Sequence, residues 1–362
     1  MIKTGTDKIT VSEMFIIMVM SRLIVTLLYI PGAAKKLDVT DLIIQILFAS
    51  VILMIFALPA YFFIKDGNNN GFFERCYSIS PILSKLCAGF VFFSFIFLGL
   101  RVIMRFEIFT TTVIFPQSNL KFFLIILLLA CLYCVLLGLD VLGRTAEIFF
   151  SVVILSIVFV IAVTMPRMRF TNFTPVFSDG IVQPFIASFY SVSVSVELFY
   201  PVLMKDKLYG KRTALIFPWI VSVFLFISLI AFFQAGVLGN YAMTQLFPFF
   251  TFTSMSSLGF IERLDALLTA VWIVCEFVKI SMYIFICGKC VNTVFPRTSR
   301  NTGLFAVTAV LAGITLALKE SYRVRGLLAN ITVSTMIFSV IVILMPLIVL
   351  ILEKKKAGKG EM

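Results

Sequence analysis

Seven ionisable residues lie deep inside apolar runs, and they define what chemistry this chain can do. Arg22 follows Ser21 near the middle of VSEMFIIMVMSRLIVTLLYIP, residues 11–31. Arg101, Arg105 and Glu107 share a later run, Glu197 stands in another, and Glu276 and Lys279 in a third. A guanidinium stays charged when buried and grips a carboxylate through two parallel hydrogen bonds. Carboxylates and an ammonium at the same depth can hold a cation, an amino group or a proton. Histidine is absent from all 362 residues, which removes imidazole catalysis and imidazole metal sites. No paired catalytic constellation in a polar pocket remains, so no catalytic residue, no metal and no cofactor is expected.

These residues need an enclosure. At 1.5 Å per residue, the run 11–31 is long enough to cross the roughly 30 Å hydrocarbon core of a bilayer. Facing lipid, Arg22 would cost at least about 2.5 kcal/mol, so it must face a protein interior or a wet cavity. Composition agrees: 61% of the chain is hydrophobic, 13% is charged, and mean hydropathy is +1.10. Such a chain reads as an all-α polytopic membrane protein. Its two C-x-x-C pairs, Cys131/Cys134 and Cys287/Cys290, lie in apolar helices rather than polar loops. They read as small hydrophobes, not as zinc or redox sites. The N-terminal segment does not read as a cleaved leader, because Arg22 breaks its apolar run and no A-x-A site follows.

Ten transmembrane helices are predicted. Span 1 covers 11–31, opening with a capping box at Thr10-Val-Ser-Glu13 and stopping near Pro31. Span 2 covers 39–64, and span 3, 81–115, is over-long and therefore tilted. Spans 4 and 5 cover 120–139 and 144–165, with a tight turn over 138–143 between them. Span 6 covers 181–204, and its serines 188, 191, 193 and 195 alternate with β-branched valines, a weak helix-forming pattern. Span 7 covers 213–234. Residues 235–261 are apolar but rich in Gly, Pro, Ser and Thr, suggesting a partly inserted external cap. Spans 8, 9 and 10 cover 262–291, 302–318 and 326–352.

Basic residues set the orientation. With the N-terminus inside, cytoplasmic segments hold seventeen Lys and Arg, outer loops nine, and the helices the remaining four of 30. Both termini are then cytoplasmic, and the net charge of +12 reads as topology plus attraction to anionic membrane lipids, not nucleic-acid binding.

Ten spans divide into five and five, and an odd number forces the second set to insert upside down. Residues 1–170 form the first repeat, 171–352 the inverted second, and 353–362 a basic cytoplasmic tail. The offset of about 170 between spans 1 and 6 lays Ser21 on Ser191, so both spans are expected to be discontinuous at mid-membrane, where transporters of this kind hold their ligand. Neither expected break contains glycine.

GLDVLGRTAEIFF, residues 138–150, resembles the G-x-E-V-x-A-R-x-x-E-I-F signature of the spore germination permeases. Those are the B subunits of bacterial nutrient-germinant receptors, in the amino acid–polyamine–organocation (APC) superfamily with its LeuT-like fold. Further similar features are Arg101-x-x-x-Arg105-x-Glu107, Glu197 before Pro201, Arg263-x-Asp265, Trp272, Phe277 and Lys279-x-Ser281-x-Tyr283. Asp140 departs from the usual Glu, and span 1 lacks the glycine-rich break of amino-acid permeases. The resemblance implies a non-enzymatic sensor of a small amino-acid-like nutrient in the spore inner membrane. It also implies an A subunit and a C-subunit lipoprotein as partners.

The site is expected between spans 1, 3, 6 and 8. Ligand-binding candidates are Ser21, Arg22, Phe97, Arg101, Ser188, Ser191, Ser193 and Trp272, with Phe189 and Tyr190 at similar depth. Candidates for ion or proton coupling, or for structural pairing, are Arg105, Glu107, Glu197, Glu276 and Lys279. Asp265, Trp272, Glu276, Lys279 and Tyr283 recur as one helical stripe that must face the bundle. Glu276 and Lys279, three apart, can pair with each other; in the alternative, Lys279 replaces the cation of sodium-coupled relatives and senses or carries a proton. Arg22 either clamps a ligand carboxylate or is neutralised by Glu197 or Glu107. Sensor and proton-coupled amino-acid transporter need the same site, so both functions stay open.

Overall fold

In hydrocarbon every backbone N–H and C=O must find a partner within its own segment, which makes helix the default for apolar sequence. A computed structural model of the protein describes residues 8–28, 37–114, 120–178, 180–210, 212–255, 265–318 and 322–360. In chain order the helices are α1 (Val11–Leu28), α2 (Val39–Phe56), α3 (Leu58–Lys65), α4 (Phe72–Ile79) and α5 (Pro81–Phe109). They continue as α6 (Leu120–Leu137), α7 (Leu139–Thr164), α8 (Val182–Ser193) and, after a 3-10 turn at Val196–Phe199, α9 (Tyr200–Leu203). The last eight are α10 (Phe217–Leu238), α11 (Tyr241–Thr244), α12 (Pro248–Ser254), α13 (Asp265–Val294), α14 (Arg300–Leu318), α15 (Tyr322–Ala329), α16 (Ile331–Phe338) and α17 (Met345–Gly360).

Among the described residues seven helices are long and apolar enough to cross a membrane, or eight if α8 to α9 counts as one bent span. α13 is the innermost, with 78% of its apolar window buried against 28% for α7 and for α14. It packs against α1, α5, α6, α7 and α14, while α8 lies against α2 and α16. The only strands among the described residues are two-residue pieces, β1 (Ile9–Thr10) and β2 (Leu208–Tyr209), paired in parallel.

Local chemistry explains where elements start and stop. The capping box at α1 forms as expected: Thr10 N donates to Glu13 Oε2 at 2.7 Å, and Glu13 N to Thr10 Oγ1 at 3.1 Å. Span 2 is divided at Ala57, because Pro59 at the start of α3 has no N–H to continue the ladder. Span 3 ends in a π turn at Thr110–Ile114, where the hydroxyls of Thr110, Thr111 and Thr112 bond back to preceding-turn carbonyls. The expected turn over 138–143 shrinks to Gly138, whose φ of 127° no other residue adopts easily, and the motif becomes the first turns of α7. A Cβ on Gly143 would lie 3.0 Å from that of Glu13, so this glycine sets the close approach of α1 to α7. Span 10 divides too, since Asn330 caps α16 by accepting from Thr332 N at 2.8 Å.

Two expectations concerned breaks, and they part company. Span 6 is broken: the segments Val182–Ser193 and Val196–Leu203 bend by 43°. Ser193 Oγ donates to Tyr190 O at 2.8 Å and Ser195 Oγ to Ser191 O at 3.0 Å, diverting carbonyls from the helical ladder without glycine. Span 1 is not broken. α1 runs unbroken through Ser21 and Arg22, flanked by Met18, Met20 and Leu23, which are good helix formers.

Polar contacts gather the loops at two ends. At one, Arg75 holds Asp66 at 2.9 Å and also bonds Glu353, while Arg212 donates to Asn69 at 2.7 Å. Buried Lys205 caps the end of α3, donating to Phe63 O at 2.7 Å and Asp66 O at 2.8 Å. Burial is the main reason its pKa falls to about 8. At the other end, Asn240 donates to Asp38 at 2.9 Å, Thr40 to Pro175 O at 2.7 Å, and Phe177 N to Asp41 at 2.9 Å. α11 and α12 close that end, with Phe249 and Phe252 fully buried; residues 256–261 of the expected cap lie outside the described residues.

This grouping coincides with the charge-derived assignment of inner and outer loops. In intact cells, an impermeant maleimide should label Thr171→Cys and spare Asn68→Cys, with the native chain as blank because six of its seven cysteines are buried. Labelling of Asn68→Cys alone would invert the topology.

Candidate functional site

The break in span 6 diverts backbone carbonyls from the helical ladder, and two buried cations converge on this region. Arg22, 3% exposed, donates from Nη2 to Ser191 O at 2.9 Å. Ser191 also takes the Ser195 hydroxyl on that oxygen, and its own Oγ accepts from Gln45 Nε2 at 2.9 Å. Gln45 donates in addition to Ala187 O at 3.1 Å, fastening α2 to the first half of the broken span. Of the two residues matched by the 170-residue offset, Ser191 accepts from Arg22 and Ser21 O accepts from Lys279.

Lys279 makes the second convergence. Its ammonium, 2% exposed, donates to Ser21 O and to Glu197 Oε1, both at 2.8 Å. One side chain of α13 thereby joins α1 to the 3-10 turn after the break. The i,i+3 pairing with Glu276 is therefore not what neutralises Lys279; Glu276 lies buried along α13, its Oε2 without a partner. Glu197 bonds Lys279 and also acts on Arg22 through its charge without a hydrogen bond to it, while Glu107 pairs with Arg325 at 3.4 Å.

Aromatic groups wall this region. Lys279 Nζ lies 5.8 Å from the centre of the Tyr283 ring, which packs edge-on to Phe95 at 5.2 Å, with Tyr200 completing the cluster. Arg22 lies over Phe224 at 5.5 Å. Trp272 sits two turns from Lys279, stacked on Phe106 at 4.9 Å and edge-on to Phe109 at 4.4 Å. Phe109 in turn meets Phe247 and Phe250, so Trp272 roofs the region beneath the α12 end.

The remaining candidates scatter. Arg101 and Arg105 both donate to Tyr190 Oη, at 3.4 and 3.2 Å, and Arg101 also bonds Ser334 of α16. Ser188 and Ser193 spend their hydroxyls on carbonyls of their own helix, Phe185 O and Tyr190 O. Phe97 is half-buried and Phe189 is 41% exposed, which leaves Phe95 and Phe224 as the aromatic walls that sequence reasoning missed. Gln45 was missed as well, although a lone amide in TDLIIQILFASV is the kind of signal that marks a bundle-facing position. The Asp265 side chain lies outside the described residues.

Several polar atoms here are fully buried yet unpartnered: Arg22 Nε and Nη1, Glu197 Oε2, Glu276 Oε2 and Trp272 Nε1. Native structures leave few such atoms, and a cluster mixing cationic donors with anionic acceptors suits a small polar guest. Among the described residues no cluster of three or more His, Cys, Asp or Glu has metal-ligand spacing.

The buried pair can be tested directly. Lys279→Met alone strands Glu197 and should cost about 3–5 kcal/mol of stability. Lys279→Met with Glu197→Gln should recover most of the lost melting temperature; a double variant no better than the single one would mean that the pair does not carry this junction.

Residues 8–325 match the family model described as "Spore germination protein". None of the curated proteins matches the chain.

Proposed function

The chain belongs to the spore germination protein family, and from that premise we propose that it is the nutrient-sensing membrane subunit of a germinant receptor. Its ligand would be a small amino acid bound at mid-membrane beside the break in span 6. One observation carries this reading: the buried surplus of unpartnered polar atoms around Arg22, Glu197 and Glu276. A free amino acid presents a carboxylate and an ammonium a few ångströms apart, and the surplus contains guanidinium donors for the first and carboxylate acceptors for the second. A ligand carboxylate would take Arg22 Nη1 together with Nη2, the end-on fork, once Nη2 releases Ser191 O. Backbone N–H groups usually do this in broken-helix transporters, but α1 is unbroken and exposes none at that depth.

α1 and α6, added to the bent span and the seven others, bring the count to ten. We propose the five-plus-five inverted repeat of LeuT-like proteins on that basis, with the contact of Arg22 to Ser191 marking the pseudo-twofold relation. Lys279, bonded to a carbonyl of α1 and to Glu197, occupies the role of a fixed cation between the halves. Ligand binding would shift the equilibrium between arrangements of the bent span, and an A subunit and a C-subunit lipoprotein in the spore inner membrane would read that shift.

Purified protein screened against each proteinogenic amino acid should show a higher melting temperature with one or a few of them, because a ligand that binds only the folded state stabilises it. Arg22→Lys, losing bidentate geometry, should weaken that ligand about tenfold or more, roughly 1–3 kcal/mol, with little change in the unliganded melting temperature. An unchanged dose-response in Arg22→Lys would remove the carboxylate clamp. Accumulation of the labelled amino acid in proteoliposomes would replace the sensor by a transporter.

A further inference from the structure

One polar group beside Arg22 is left over once a ligand's carboxylate and ammonium have been placed: the side-chain oxygen of Gln45. This residue is 1% exposed, on α2 between Ile44 and Ile46. Its Nε2 donates to Ala187 O at 3.1 Å and to Ser191 Oγ at 2.9 Å, both on α8. A backbone carbonyl only accepts, so the bond to Ala187 fixes which end of the amide is nitrogen. The other end, Oε1, is buried and has no hydrogen-bond partner among the described residues.

Ser191 brings this oxygen close to the clamp. It receives Gln45 on its hydroxyl and Arg22 on its carbonyl, so amide and guanidinium approach one residue from different helices. Arg22 in turn lies over Phe224 of α10, and its Nε and Nη1 are unpartnered like Gln45 Oε1. The region around Arg22 is therefore bounded by α2 and α10 as well as by α1 and α8. It holds guanidinium donors and one neutral acceptor, whereas the carboxylate acceptors Glu197 and Glu276 lie on the Lys279 side.

A buried acceptor without a donor is costly, more so where little water penetrates. With the carboxylate on Arg22 and the ammonium toward Glu197, the remaining substituent of the α-carbon is the side chain. An apolar side chain would leave Oε1 unpaired, and an acidic one would face it with a second acceptor. A hydroxyl or a primary amide would satisfy it. We propose that Gln45 Oε1 selects the ligand by its side chain, accepting a hydrogen bond from the hydroxyl or amide of a small polar amino acid. The inference rests on the amino-acid reading above and narrows it to ligands such as serine, threonine and asparagine.

The test follows the melting temperature of the purified full chain against three ligand pairs: serine with alanine, threonine with valine, and asparagine with leucine. Each pair is close in size and differs in a side-chain donor. In the native chain, the donor-bearing member of at least one pair should reach half its stabilisation at a concentration about tenfold lower, or lower still. In Gln45→Met and Gln45→Leu that preference should shrink to about twofold or less, because both members then meet an apolar wall. Lost packing would weaken both members alike, so the ratio within a pair separates a selecting group from a merely structural amide. Equal responses within every pair in the native chain, or a preference unchanged in the variants, would overturn the proposal and leave the amino-acid site standing. No rise with any proteinogenic amino acid would remove the site and the proposal together. Should neither variant fold, the ratio in the native chain decides.

Discussion

An ammonium buried in a membrane protein must find anionic or carbonyl oxygens, and the two that Lys279 finds belong to different parts of the chain. Ser21 O comes from α1 and Glu197 Oε1 from the turn after the break in span 6. Burying an ion pair gains little net stability, but removing one partner leaves a buried charge without its hydrogen-bonded counter-ion. The junction therefore fixes geometry more than it adds stability. It sets the depth of the broken span against α1, and with it the relation between the two halves of the chain.

The break itself is built without glycine. Serine hydroxyls at 193 and 195 bond to carbonyls three and four residues back, so the helix loses its ladder where side chains compete for it. The freed carbonyl of Ser191 is not wasted on solvent, since Arg22 donates to it. Arg22 thereby compensates irregular backbone that lipid would not tolerate, while Lys279 beyond the break holds the Glu197 side chain. The same carbonyl takes the Ser195 hydroxyl and the Arg22 guanidinium together, using both of its lone pairs.

The apolar helices give way to polar stitching at both ends, and the two ends differ. One is held by guanidinium and ammonium groups of residues 75, 205, 212 and 289, the other by amides, hydroxyls and the carboxylates of Asp38 and Asp41. The basic groups gather at the end that the charge-derived orientation expects on the cytoplasmic side. Those same residues then close loops that insertion alone would leave loose.

Much of this was written in the sequence. Hydropathy dictates helices wherever the backbone lacks water, so seven or eight of the ten predicted spans, the capping box of Thr10 and Glu13 and the weak middle of span 6 were readable from residues alone. The need for Arg22, Glu197, Glu276 and Lys279 to face inward was equally legible, because each would be intolerable against lipid. Partner choice was not legible. Glu276 stands three residues from Lys279 and looked like its counter-ion, yet Glu197, 82 positions away, holds it. Ser21 and Ser193 are alike in sequence, yet one sits in an unbroken helix and the other beside a break. Burial of a charge is decided locally, by the cost of leaving water. Which opposite charge it meets depends on how distant helices pack, and only the tertiary structure sets that.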